Sequence, residues 1–258
     1  MVQPKVDVLG ISVKTFGVMF ALGFLASGVV VARRLKELGK PVDWAYEIVF
    51  AALVGGLVGS RVYYLLQHTS QFTSDPLGST FGGTGLVWYG GAIGGAIGVL
   101  LWAKRRGALA LWLLDLCSVP LALGYAIGRI GCQVSGDGDY GKPSDVPWAM
   151  GYPHGTVPTP PGVRVHPTPI YETLAMGLVA WLLWRYRDRV RPGILFAWYL
   201  VGAGTERFLV EFLRRNAEVA GGLTAPQFES IAMCLAGVAW LALAARRGGV
   251  RATAPLAA

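Results

Sequence analysis

Three arginines, Arg61, Arg129 and Arg207, sit inside long apolar stretches of this chain. A guanidinium in hydrocarbon costs about 2.5 to 3.5 kcal/mol on insertion scales, so a residue placed there marks a candidate functional site. Its fork of donors matches the oxygens of a phosphate, and three guanidiniums at one depth on neighbouring helices would converge on such an anion. The structural alternative is neutralisation by carboxylates: Glu211 follows Arg207 by four residues, and Glu47, Asp115, Glu172 and Glu229 are also available. Arg129 lies in GRIGCQVSGDGDYG, Gly128 to Gly141, a glycine-rich segment read as a loop whose backbone amides can also approach an anion. A second polar group, His166, Tyr171 and Glu172 in HPTPIYE, opens another apolar stretch. His166 can act there as a base; alternatively, His166 and Glu172 bond the loop and cap a helix whose start is set by Pro167 and Pro169. His68 and His154 fall in loops and read as solvated bystanders.

The elements that must position these residues are membrane spans. Of the 258 residues, 53% are hydrophobic and only 15% charged, with a mean hydropathy of +0.49. That composition predicts an all-α polytopic membrane protein. Seven apolar stretches, at about 15 to 32, 45 to 66, 86 to 103, 109 to 130, 169 to 185, 193 to 213 and 227 to 245, have near the length that crosses a roughly 30 Å hydrocarbon core as helix. The expectation is one seven-span domain over residues 1 to 258. Arg33, Arg34, Lys36 and Lys40 follow the first span; Lys104, Arg105 and Arg106 the third; Arg185, Arg187, Arg189 and Arg191 the fifth; Arg246, Arg247 and Arg251 the seventh. Basic residues are retained on the cytoplasmic side, so the N-terminus is expected outside and the C-terminus in the cytoplasm. The segment Gln67 to Gly85 has no Lys or Arg, and about 131 to 168 carries only Lys142 and Arg164. The latter, rich in Gly, Pro and Asp, is expected as an outward-facing loop or head region between spans four and five, long enough to be functional.

The formal charge of +8 is spread as topology signals rather than gathered in a patch, which argues for anionic lipid headgroups and against nucleic acid. Cys117, Cys132 and Cys234 have neither disulfide-framework nor metal-ligand spacing, so no metal is expected. The first apolar run lacks a small-residue cleavage site and precedes RRLKELGK, which reads as stop-transfer rather than a signal peptide. Glycines 55, 56, 59, 90, 91, 94, 95 and 98 fit small-xxx-small helix packing, or else room for an acyl chain. Trp88, Trp102, Trp112, Trp198, Tyr63 and Tyr64 read as interface anchors. No inverted repeat supports a transporter.

Taken in order, GSRVYYLL (59 to 66), WYGGAIGG (88 to 95), LLDLCSVPLALGYAIGRIG (113 to 131), HPTPIYE (166 to 172) and RFLVEFLRR (207 to 215) resemble the prolipoprotein diacylglyceryl transferase family over about residues 15 to 245. The resemblance implies a bacterial inner-membrane transferase that needs no cofactor. It would move the diacylglyceryl unit of phosphatidylglycerol to the lipobox cysteine in the signal peptide of a preprolipoprotein, releasing glycerol phosphate. Carried onto this sequence, it implies catalytic roles for Arg129, Arg207, His166, Tyr89 and Glu211. It also implies phospholipid contacts from Arg129, Arg207, Arg61, Gly141, Tyr171, Glu172, Asp137 and Asp139.

The chain departs from the family pattern at several polar positions. Where the family usually reads HGG, with the histidine a proposed proton acceptor, this chain has Tyr89; Cys132 replaces an asparagine, Phe16 a tyrosine and Ala203 another tyrosine. The loop GDGDYG is one residue longer, so either Asp137 or Asp139 takes the place of the family's acid. A relative that binds anionic phospholipid, or modifies a different acceptor, without prolipoprotein transfer stays open on these substitutions.

Overall fold

A computed structural model of the chain describes residues 2–8, 11–69 and 87–252. Beyond residue 69, the expected outward loop from Gln67 to Gly85 lies outside the described residues, as does residue 86 at the start of the third expected span. Seven helices are described: α1 (Thr15–Glu37), α2 (Trp44–Gln67), α3 (Trp88–Arg105), α4 (Leu111–Ser135), α5 (Thr168–Tyr186), α6 (Ile194–Glu211) and α7 (Ala225–Arg246). They coincide in number and order with the seven apolar stretches. Four of them, α1, α2, α4 and α7, are long and apolar enough to cross a membrane. Two short antiparallel pairs were not expected: β1 (Lys5–Val8) with β2 (Ile11–Lys14), and β3 (Glu218–Ala220) with β4 (Leu223–Thr224). Lys5–Val8 and Ile11–Lys14 alternate polar and β-branched residues, a strand pattern too short to stand out beside the apolar run that follows.

The chain divides into two units, Leu35–Leu113 and Met1–Arg34 with Leu114–Ala258. In the first of these, α2 and α3 pack through glycine. A Cβ built on Gly59 would stand 2.7 Å from the Gly94 Cα, and one on Gly90 would stand 2.5 Å from the Tyr63 Cβ. Any larger side chain would force the backbones apart, so the small-xxx-small reading holds most strictly at Gly55, Gly59, Gly90, Gly94 and Gly98. Trp44 stacks on Trp112 and meets Trp102 edge-on, and Trp102 Nε1 donates to Glu47 at 2.6 Å.

In the larger unit, α6 and α7 approach as closely: a Cβ on Gly204 would lie 2.7 Å from the Cys234 sulfur and one on Gly237 2.8 Å from the Ala197 carbonyl. Val119, Ala122, Ala126, Met176, Ala180, Leu183, Ile194 and Leu195 form the core between α4, α5 and α6. Pro120 interrupts the α4 ladder, and its own carbonyl accepts from Ser27 at 3.2 Å.

One expectation is corrected here. The GRIG segment is helix, since α4 runs on to Ser135, and Gly136, at φ +56°, ends it with its amide donating to the Cys132 carbonyl at 2.9 Å. Arg129 is therefore carried on a rigid element. Its local amides are spent in the helix ladder and cannot cradle an anion as the loop reading supposed.

The head region begins only at Gly136 and has a core of its own. Tyr140 and Tyr152 stack at 4.8 Å over Val165. Tyr152 donates from its hydroxyl to Gln133 Oε1 at 2.8 Å, and Thr156 from its amide to the Ser135 carbonyl at 2.9 Å, so the region is fastened to the end of α4. Burial pushes the Tyr152 phenol up to about 12, with the Gln133 bond acting against the shift.

Candidate functional site

Near the head region, α4, α5 and α6 each contribute a charged side chain to one cluster. Glu172, fully buried near the start of α5, is its hub. Its carboxylate meets Arg129 Nε at 3.3 Å, Arg207 Nη1 at 3.5 Å and Arg214 Nη1 at 3.5 Å, and accepts from the Tyr125 hydroxyl at 3.0 Å. A carboxylate with no exposure survives only because three guanidiniums replace the water it lost.

Two further acids close the ring. Asp139 pairs with Arg129 and, at 2.6 Å, with Arg214 Nη2; its carbonyl accepts from Thr168 Oγ1 at 2.6 Å and from Arg214 Nη1 at 3.0 Å. Burial alone would raise the Asp139 carboxyl, but the charges of Arg129 and Arg214 outweigh it and hold the group below the usual carboxylate range. Asp137 is turned inward and accepts the Asp139 amide at 3.2 Å. Glu211 pairs with Arg207 Nη2 at 2.8 Å, one helical turn along α6, and accepts from Asn216 Nδ2 at 2.6 Å and Thr224 Oγ1 at 2.8 Å. The Arg129 guanidinium also lies over the Tyr125 ring, 4.8 Å from its centre.

Of the two readings of the arginines, neutralisation by carboxylates is the one observed, for Arg129 and Arg207. Arg129 and Arg207 are paired with carboxylates, and they converge. Some of that pairing is by charge alone: Arg207 Nη1, Arg214 Nε, Glu211 Oε2 and Glu206 Oε1 are buried with no hydrogen-bond partner among the described residues, Arg207 Nη1 reaching Glu172 only as an ion pair at 3.5 Å and Arg214 Nε reaching Glu211 at 3.8 Å. A buried donor without an acceptor is costly, and Arg207 Nη1 keeps a proton to offer an anion.

Gly141 shapes the site rather than lending its amide, which donates to the His166 carbonyl at 2.8 Å. A Cβ there would stand 2.5 Å from the Leu213 carbonyl and 2.9 Å from Thr168 Cγ2. His166 and Tyr171 form a separate pair: His166 Nδ1 lies 3.2 Å from the Tyr171 hydroxyl, which also accepts from Trp148 Nε1 at 2.6 Å. Arg61 and Tyr89 belong to the smaller unit. There the Arg61 guanidinium lies 5.3 Å from the centre of the Tyr64 ring, and Tyr89 stands 6.4 Å from Tyr63. His68 stacks on Tyr64 at 4.2 Å.

All three cysteines are free thiols. Cys132 Sγ and carboxylate oxygens of Asp137 and Asp139 lie within 4.8 Å of one another, close enough to share a cation. Arg129 Nη1, 3.9 Å from that sulfur, and the two arginines on Asp139 already supply the positive charge.

Sequence reasoning missed Arg214, Tyr125, Glu206 and Thr168. Arg214 had a readable signal, since it is basic at an end of the sixth span where the topology otherwise keeps basic residues away. Glu206 had one too, as an acid directly before Arg207 inside an apolar stretch. Nothing in the sequence pattern distinguishes Tyr125 from the other span tyrosines.

The family model described as prolipoprotein diacylglyceryl transferase matches residues 4–243. A phosphatidylglycerol–prolipoprotein diacylglyceryl transferase of Clostridium tetani is 32% identical over 90% of this chain and 93% of its own length. Proteins of the same name from Methylobacillus flagellatus and Geobacter sulfurreducens are 32% and 33% identical, covering 96% and 90% of this chain and 99% and 91% of theirs.

Proposed function

Because this chain belongs to the prolipoprotein diacylglyceryl transferase family, we propose that it transfers the diacylglyceryl group of phosphatidylglycerol to the lipobox cysteine thiol of prolipoproteins, releasing glycerol phosphate. The observation that carries the reading to particular atoms is the Arg129–Arg207–Arg214 cluster around Glu172, in which the buried Arg207 Nη1 has an ion pair at 3.5 Å but no hydrogen bond among the described residues. Phosphate leaves as the sulfur–carbon bond forms, and the charge on its oxygens grows. Guanidiniums held beforehand in a water-poor site stabilise that charge without reorganising, and losing one such donor costs about 10² to 10³ in rate.

In this scheme Arg129 and Arg207 bind the phosphate and Arg214 adds to their field. Glu211, Glu172 and Asp139 hold the guanidiniums in place, with Asp137 bracing Asp139. Gly141 keeps the head-region turn close to α5. Arg61 orients lipid, and the His166–Tyr171 pair lies along the path of the thiol. Crossing of the membrane by all seven helices, N-terminus outside, puts the cluster in the outer half of a bacterial inner membrane, level with lipid phosphates. The basic ends of α1 and α5 support that sidedness, since Arg34 donates to Asp188 at 2.5 Å and to the Arg187 carbonyl at 3.2 Å.

Tyr89 standing where the family has a histidine favours a second reading, in which the chain binds anionic phospholipid without prolipoprotein transfer. One experiment separates them: purified protein, phosphatidylglycerol and a lipobox peptide, with mass spectrometry for the diacylglyceryl adduct and for glycerol phosphate. Adduct is expected. Its absence across several lipid compositions, with a family enzyme working in parallel, would leave only the binding role.

A further inference from the structure

We propose that Glu206 is the proton acceptor for the attacking thiol, an inference that rests on the transfer reaction proposed above. A thiol with pKa near 8.5 is mostly protonated at neutral pH and must lose its proton to attack carbon. A tyrosine with pKa near 10 is a poor base at that pH, so Tyr89 does not replace the family's histidine. His166 shares its Nδ1 with the Tyr171 hydroxyl, and no hydrogen bond joins it to the arginine cluster among the described residues.

The carboxylates of the cluster divide sharply. Asp139 is held by Arg129 and Arg214, Glu172 by three arginines and Tyr125, and Glu211 by Arg207, Asn216 and Thr224. Guanidinium donors favour the charged form of a carboxylate and make it a weak base. Glu211 Oε2 and Glu206 Oε1 are both buried with no hydrogen bond among the described residues, but Glu211 Oε2 stands 2.8 Å from Arg207 Nη2 and 3.8 Å from Arg214 Nε, whereas Glu206 has no ion pair among them, so the lone pairs of its Oε1 remain for an incoming proton. Placed one residue before Arg207, Glu206 lies within electrostatic range of Arg129 and Tyr125 from α4, Glu172 from α5, and Arg207 and Arg214 from α6 and the turn after it. From α7 the thiol nearest this stretch is Cys234, whose sulfur faces Thr205 and the Val201 carbonyl. A base beside the phosphate-binding guanidiniums is where the reaction needs one.

The step balances. The thiol proton passes to Glu206 Oε1, and the sulfur electron pair forms the bond to the glycerol carbon. The carbon–oxygen bond to phosphate breaks, and its electron pair leaves with glycerol phosphate. That product takes the proton back, restoring the carboxylate.

Glu206→Gln keeps the shape and removes the acceptor. At pH 7 its kcat is expected to fall about 10²-fold or more, with KM for phosphatidylglycerol little changed. The deficit should narrow above about pH 8.5, where the thiol ionises unaided. A lipobox peptide carrying selenocysteine, whose selenol is ionised at neutral pH, should bring the variant back towards the wild-type rate. Glu206→Asp, which retains a carboxylate, should lose less and keep the wild-type pH profile. The proposal is overturned by a Gln variant within about twofold of wild type at every pH. It is equally overturned by a deficit that neither pH nor selenocysteine relieves, or by an Asp variant as impaired as the Gln variant. Wild-type protein that forms no adduct ends the transfer reading and this inference together; wild-type adduct with an unimpaired Gln variant ends this inference alone.

Discussion

The two ends of α4 and α5 bury charge in different ways. At the end away from the head region, Asp115 accepts the Gly193 amide at 2.7 Å and the Phe196 amide at 3.0 Å, so both oxygens satisfy the otherwise orphaned first turn of α6. Arg34, close by on α1, is bound to Asp188 and to a carbonyl. At the head end three arginines share three acids, and buried atoms of Arg207, Arg214, Glu211 and Glu206 are without a hydrogen bond among the described residues. A polar group whose valences are all used fastens helices together. One with a valence left over is open to a partner, and that contrast is what the transfer site proposed above draws with the Asp115 end.

The largest expected effect tests the open end. Arg129→Ala should lower transfer by about 10² to 10³ while the protein is still extracted folded in detergent, because Asp139 and Glu172 both retain Arg214. Transfer assays on matched amounts of folded protein check this. Full activity in the variant would make the head cluster a structural fastening like its counterpart.

Asp115→Ala tests the closed end and should give the opposite signature. Removing the carboxylate leaves the Gly193 and Phe196 amides unpaired, at a cost of about 1 to 3 kcal/mol. Thermal unfolding in detergent should show the lowered Tm, with turnover per folded molecule unchanged. A loss of turnover at unchanged Tm would erase the distinction between the two ends.

How far this was readable from the chain depends on what kind of physics each feature obeys. The helices and their order follow from local hydropathy, and the α2–α3 contact from glycine spacing, since both are written at fixed intervals along the chain. The convergence of Arg129 and Arg207 was legible because burial of charge is itself abnormal. Their neutralisation by one hub, Glu172, was not, because hydropathy ranks Glu47, Asp115, Glu172 and Glu229 alike and only tertiary packing decides which acid meets which base. The head region was misread at its start for a local reason: Gly128 and Gly131 suggested a loop, whereas the helix ladder continues through them to Gly136. The stacking of Tyr140 on Tyr152 has no sequence period at all.

The smallest expected effect concerns Asp139, the partly exposed member of the open cluster. Its carboxyl is held below the ordinary value of 3.8 by Arg129 and Arg214. A group whose folded pKa is depressed adds stability that is fully present above its unfolded pKa, and that stability is lost as the pH falls through the folded value. Wild-type protein should therefore keep an advantage in Tm over Asp139→Asn above about pH 5 and lose it on titration to about pH 3 and below. Measuring both proteins in one detergent over that range reads the charge directly. No offset at any pH would mean that Asp139 serves through its carbonyl, which accepts from Thr168 and Arg214 whatever its side chain carries, and an offset that stays constant down to the lowest pH would mean that the loss is not one of charge.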